Sequence, residues 1–156
     1  MAQLSFKNVG VLADVRKKVN EQPTLSETPI GILTPLRTAP GTFFEMSYRI
    51  DEQVADNLRN LILTNFGDRL GMPQLCTNLL PLVAEFDRVD DFDAEAMARI
   101  KTSVNTWMPY IELTGYESFP EFRNGIFQRS VRIVIAYSAP KLNIKNSLLE
   151  VDIKVM

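Results

Sequence analysis

The chain has 156 residues, 46% of them apolar and 23% charged, with a net charge of -2, which fits one globular domain with arms and gives no electrostatic reason to expect nucleic acid or an anionic membrane as partner. It contains no histidine, which removes the commonest general base and metal ligand, and its single cysteine, Cys76, cannot form an intrachain disulfide. No apolar run approaches the roughly 20 residues that span a bilayer and no secretory signal pattern opens the chain, so synthesis and assembly in a reducing cytoplasm are expected.

Residues 1–40 carry four of the nine prolines, Pro23, Pro29, Pro35 and Pro40, spaced too tightly for a regular element between them. This predicts an extended arm over 1–40, in which Leu4, Phe6, Val9, Val11 and Leu12 can form a short ordered piece. Ile30, Ile32, Leu33 and Leu36 are too apolar for a solvated linker, so this part is expected to lie on its own domain or on a partner. Residues 42–50 alternate, with Phe44, Met46 and Tyr48 opposite Glu45, Ser47 and Arg49, which predicts a short extended segment.

A helix follows, with Val54, Leu58, Leu61 and Ile62 on one face, Asp51 as its expected N-cap, and Asn65, Phe66 and Gly67 as its stop. Arg69 leaves that stop either as a solvated loop residue or as a planar fork for a carboxylate. Pro73 is expected to open a second helix carrying Leu75, Leu79, Leu80 and Leu82, which Pro81 bends or ends. The acidic run at 87–95 reads as the capped, dipole-complementing start of a third helix. Met97, Ile100, Val104 and Trp107 give its core face, and Pro109 stops it.

The period then changes to two. Ile111 and Leu113 alternate with Glu112 and Thr114, 118–125 is expected to be a connection turning at Asn124 and Gly125, and a long strand follows over 126–137. Leu149, Val151, Ile153 and Val155, alternating with Glu150, Asp152 and Lys154, give the last strand. The predicted fold class is α+β, with three helices packed on a small C-terminal antiparallel strand meander. The predicted organisation is an arm over 1–40 and a domain over 41–156. The last strand either completes its own sheet or keeps an edge open for a strand from another protein.

Catalytic patterns are missing: there is no nucleophile with a histidine, no phosphate-cradling glycine loop and no metal-ligand spacing, so no catalytic residue, cofactor or metal is expected. Glu45 and Glu85 could form a glycosidase pair, but among 19 acidic residues such pairs arise by chance.

Over 29–48, PIGILTPLRTAPGTFFEMSY, and 51–73, DEQVADNLRNLILTNFGDRLGMP, the chain resembles the signature region of the baseplate wedge and sheath-initiator proteins of contractile phage tails and related contractile injection systems. The shared order is an extended aromatic segment, a helix with Glu52 and Gln53, then Asn65, Gly67, Asp68, Arg69 and Pro73, and later a helix ending in tryptophan and proline before a meander. Leu75 and Cys76 depart from a phenylalanine and glycine common in the family. Met108, Pro109 and Tyr110 stand where the family has Glu-Pro-Arg, which implies an apolar contact in place of a salt-bridged corner.

The resemblance implies a virion protein of the tail baseplate, assembled in the host cytoplasm, with a fold similar to the interlocking domain of the sheath subunit. It implies the tail sheath protein and other baseplate wedge proteins as partners, the tail tube nearby, and six copies around the tail. Sheath polymerisation then starts when sheath arms add strands to this sheet. Arg69, Asp68, Met108, Pro109, Tyr110, Leu149, Val151, Ile153 and Val155 are the residues expected to meet partners. No nucleic acid or membrane partner is expected. The alternative is a tail-associated cell-wall hydrolase, lysozyme-like, working through a carboxylate pair.

Overall fold

The computed structural model describes residues 28–39, 43–85, 89–123 and 126–155, and among these described residues three helices and two antiparallel sheets form an α+β fold. The chain divides into two compact units, one ending at Asp56 and the other beginning at Asn57. The expected ordered piece at 4–12 and the turn residues Asn124 and Gly125 lie outside the described residues.

In the first unit, strand β1 (Gly31–Ile32) pairs antiparallel with β2 (Met46–Ser47). The backbone N–H of Thr34 donates to Asp56 Oδ2 at 2.9 Å, which gives a carboxylate that is only 5% exposed a partner. A Cβ at Gly31 would come within 2.1 Å of Gln53 Oε1, so a larger residue there has to displace the end of the Gln53 side chain. The later part of the proline-rich segment is thus hydrogen-bonded to residues 45–47.

Helix α1 (Ile50–Leu63) buries Val54, Leu58, Leu61 and Ile62, the face that the spacing predicts. Asp51 is not its N-cap. It lies inside the first turn, where its charge complements the helix dipole, and Arg49 grips it at 2.6 Å. That guanidinium holds the Asp51 carboxyl below the usual carboxylate range.

Helix α2 is shorter than expected, Leu79–Ala84, and Pro73 does not open it. Asn78, left-handed at φ 53°, turns the chain into it instead. Pro81 neither bends nor ends α2, because it sits in the first turn, where a missing N–H has no helical acceptor. Helix α3 (Val89–Trp107) buries Phe92, Ala96, Ile100 and Val104, whereas Met97 is 45% exposed. The core face is therefore rotated one position from the expected one. Trp107 is only half-buried.

The second sheet has the order β3 (Glu112–Arg123), β4 (Ile126–Ala139) and β5 (Ile144–Lys154), with a short 3-10 helix, Pro140–Leu142, between the last two. Residues 118–123, expected as a connection, extend β3. The proline is tolerated because β3 is an edge strand whose register shifts next to Pro120. Val131, Ile133, Ile135 and Tyr137 of β4 and Leu149, Val151 and Ile153 of β5 form the inner face, all at most 4% exposed. Helix α2 packs on β4 and β5, and α3 packs on β3 and α2.

Leu58 is fully buried and Leu148 is 73% exposed. Leu58→Ala is expected to cost about 2–5 kcal/mol of unfolding free energy in a denaturant titration, and Leu148→Ala to stay within about 0.5 kcal/mol.

Candidate interaction surface

Strand β5 has a neighbour on one side only among the described residues. The phase of its backbone follows from one bond: Val155 N–H donates to Arg129 O at 3.0 Å. The same register pairs Ile153 with Val131, Val151 with Ile133 and Leu149 with Ile135, so these residues turn their backbone groups toward β4. Leu148, Glu150, Asp152 and Lys154 therefore turn theirs outward. Their side chains are exposed as well.

The other edge is a poorer template. β3 is interrupted at Leu113/Gly115 and Pro120/Phe122, and a proline has no N–H to offer an added strand. On the outer face, Arg132 Nε lies 3.0 Å from Glu150 Oε1 and 3.1 Å from Asp152 Oδ1, so two carboxylates share one guanidinium.

The residues expected at partners fall into three groups. Leu149, Val151 and Ile153 point into the core and Val155 is half-buried, so what this strand presents outward is main chain with the side chains of its alternate residues. Period two separates the faces in sequence; which backbone groups point outward is fixed only by the pairing with β4. At the second corner, Met108 is 6% exposed and belongs to the core, which leaves Pro109 and part of Tyr110 at the surface. Burial pushes the Tyr110 hydroxyl pKa up.

The third group is the loop between α1 and α2. Its base is pinned. Thr77 Oγ1 donates to Ile62 O at 2.6 Å, and the N–H groups of Thr77 and Asn78 reach Thr64 O, so the open carbonyls at the end of α1 find donors. Asn65 Oδ1 accepts from Leu80 N–H at the start of α2, and Asp68 Oδ2 accepts from Asn65 N–H at 2.8 Å. Arg99 and Ser103 of α3 donate to the carbonyls of Asn78 and Cys76. Gly67, at φ 88°, takes a left-handed turn that favours glycine. Asp68 is thus occupied within the loop. Arg69 is exposed and makes no ion pair among the described residues, beside a fully exposed Leu70.

A cleft of about 380 Å³ opens between the end of α1, the start of α2 and β5, lined by Ile62, Leu63, Leu79, Leu80 and Ile153 and by the polar Asn65, Asp152 and Lys154.

Glu45 belongs to the first unit and Glu85 ends α2 in the second. Part-buried Asp93, in the acidic run at the start of α3, accepts from the Ser118 hydroxyl and lies beside Tyr116. Burial, and then the Asp93 charge, push the Tyr116 pKa well above its ordinary value. The Tyr116 hydroxyl finds no hydrogen bond of normal geometry among the described residues. Among the described residues no group of histidine, cysteine and carboxylate side chains could hold a metal, and no helix is long and apolar enough to cross a membrane.

No protein-family model matches the sequence, and no curated protein matches it. Two solved structures share the fold. One is a chain of the anti-feeding prophage baseplate, determined by cryo-electron microscopy with six-fold symmetry, at TM-score 0.57 and 22% identity over 69% of this chain and 82% of that one. The other is a Geobacter sulfurreducens protein provisionally named a tail lysozyme, at TM-score 0.53 and 17% identity over 69% of this chain and 93% of that one.

Asn65→Ala removes the acceptor of the Leu80 N–H and the side-chain amide that donates to Asp68 Oδ2 at 3.3 Å, keeps the backbone bond to Asp68, and is expected to lower stability by about 1 kcal/mol, read by thermal and denaturant unfolding. Arg69→Ala is expected to leave stability within about 0.5 kcal/mol. Above pH about 10 an unfolded tyrosine ionises while the folded Tyr116 stays neutral, so stability falls as pH rises. Tyr116→Phe is expected to weaken that alkaline loss and, by removing an unsatisfied hydroxyl, to be neutral or stabilising by about 1 kcal/mol at pH 7.

Proposed function

We propose that this chain is a non-enzymatic component of a contractile-tail baseplate wedge that starts tail sheath polymerisation. The observation that carries the proposal is the outward row of backbone donors and acceptors at Leu148, Glu150, Asp152 and Lys154. An arm of a sheath subunit pairs with this row as a fourth strand, gaining affinity from main-chain hydrogen bonds. The fold shared with a chain of a six-fold baseplate supports that setting. Six copies around a tail raise the effective concentration of each arm, so a weak single strand addition is enough.

Under the same proposal Arg69, the exposed free cation on a pinned loop, docks on a carboxylate of a neighbouring wedge protein. Pro109 and Tyr110 form an apolar part of that contact. The particle's baseplate is the place of action, after assembly in the host cytoplasm.

A second reading, a cell-wall hydrolase using Glu45 and Glu85, is kept in view by the provisional name of the Geobacter protein. It predicts peptidoglycan cleavage by the purified chain that Glu85→Gln abolishes. An inert protein ends that reading, and cleavage ends the structural one.

Asp152 and Glu150 turn their N–H groups outward, so proline at either position removes an edge donor and spares the bonds to β4. Glu150→Pro and Asp152→Pro are expected to leave a folded protein that enters baseplates yet starts few sheaths, counted by electron microscopy. Ile153→Pro strikes the ladder itself and is expected to unfold the sheet. Normal sheath growth from the Asp152→Pro baseplates contradicts the proposal.

A further inference from the structure

The cleft beside β5 is built like the place of a missing side chain. Ile62 and Leu63 at the end of α1, Leu79 and Leu80 of α2, and Ile153 supply apolar walls on the inner side of the sheet. Asp152 and Lys154 line it too, although their side chains lie on the opposite face from Ile153. The backbone groups of these two residues turn to the open side of β5, so the cleft lies along that edge. Leu63 is 43% exposed at its mouth and Leu80 is half-buried, so apolar surface there still faces water.

We infer that this cleft sets the register of the strand that β5 accepts, by taking one aliphatic side chain of it. The inference rests on the reading of β5 as an open edge and adds the chemistry of the occupant. That occupant is an extended peptide segment whose residue opposite Ile153 is aliphatic and points to the inner side, between α1 and α2. The residue opposite Glu150 is basic. Glu150 and Asp152 share the one guanidinium of Arg132, so a second cation across the strand pair meets unsatisfied negative charge. Positions opposite 150 and 153 are three apart and therefore fall on opposite faces of the added strand. A slip by one residue puts a polar side chain into the cleft and the aliphatic one into water, so the cleft rejects the wrong register.

The test uses the full chain and two fluorescein-labelled ten-residue peptides of alternating threonine and serine. Both carry a lysine; three positions on, one has leucine and the other serine. Binding is read by anisotropy, and by shifts of the amide signals of 148–154 in nuclear magnetic resonance. The leucine peptide is expected to bind about tenfold or more tightly than the serine peptide, the equivalent of burying one aliphatic side chain. Leu80→Trp, which fills the cleft, is expected to erase that preference, and Leu80→Ser serves as the variant that leaves the cleft open. Equal binding of the two peptides, with loss of both on Asp152→Pro, overturns the register inference and leaves the open edge standing. Peptide binding that survives Asp152→Pro overturns the edge reading itself. No binding of either peptide at millimolar concentration overturns the inference as well.

Discussion

Strand β4 is used up on every side that matters. Both of its edges are paired, to β3 and β5, and Val131, Ile133, Ile135 and Tyr137 are sealed under the helices. Burying those side chains is the main favourable term available to this sheet, and it fixes register, because a slip of one residue would turn the row toward water. With β4 consumed, the sheet can grow only from β3 or β5. Pro120 and two register shifts interrupt β3, whereas β5 pairs with β4 without a shift from Ser147 to Lys154, so the continuous edge is β5 over that span.

The interior was readable wherever one face of one element decides burial. Val54, Leu58, Leu61 and Ile62 on α1 and Leu149, Val151 and Ile153 on β5 are where a period of 3.6 or 2 puts them. The misses share a cause. Pro81 and Pro120 look like punctuation, yet a proline in a first turn or on an edge strand breaks nothing, whereas Pro73 stays in the loop before α2; only tertiary placement reveals these positions. On α3 the buried position is the small Ala96 and not Met97, and a periodicity of large apolar residues gives an alanine little weight.

The candidate surface was less legible, for a physical reason. Sequence patterns describe side chains, and the strongest feature of this surface is main chain: the outward amides and carbonyls of alternate β5 residues. The β-branched residues chosen from the pattern turn out to hold the strand in place, and their exposed neighbours face outward. Asp68 and Arg69 divide in the same way. The aspartate closes a hydrogen-bonded loop onto Asn65, and the arginine is left beyond it with no carboxylate of its own among the described residues. A loop tied to α1, α2 and α3 by Thr77, Asn65, Arg99 and Ser103 can hold such an arginine in one direction at little entropic cost on docking.

The most direct measurement is a map of the assembled particle around residues 144–154. The expected result is a foreign strand about 4.8 Å from β5 on the side away from β4, running alongside Leu148, Glu150, Asp152 and Lys154. A β5 edge left in solvent, with the neighbouring subunits packed on other surfaces, would contradict the account.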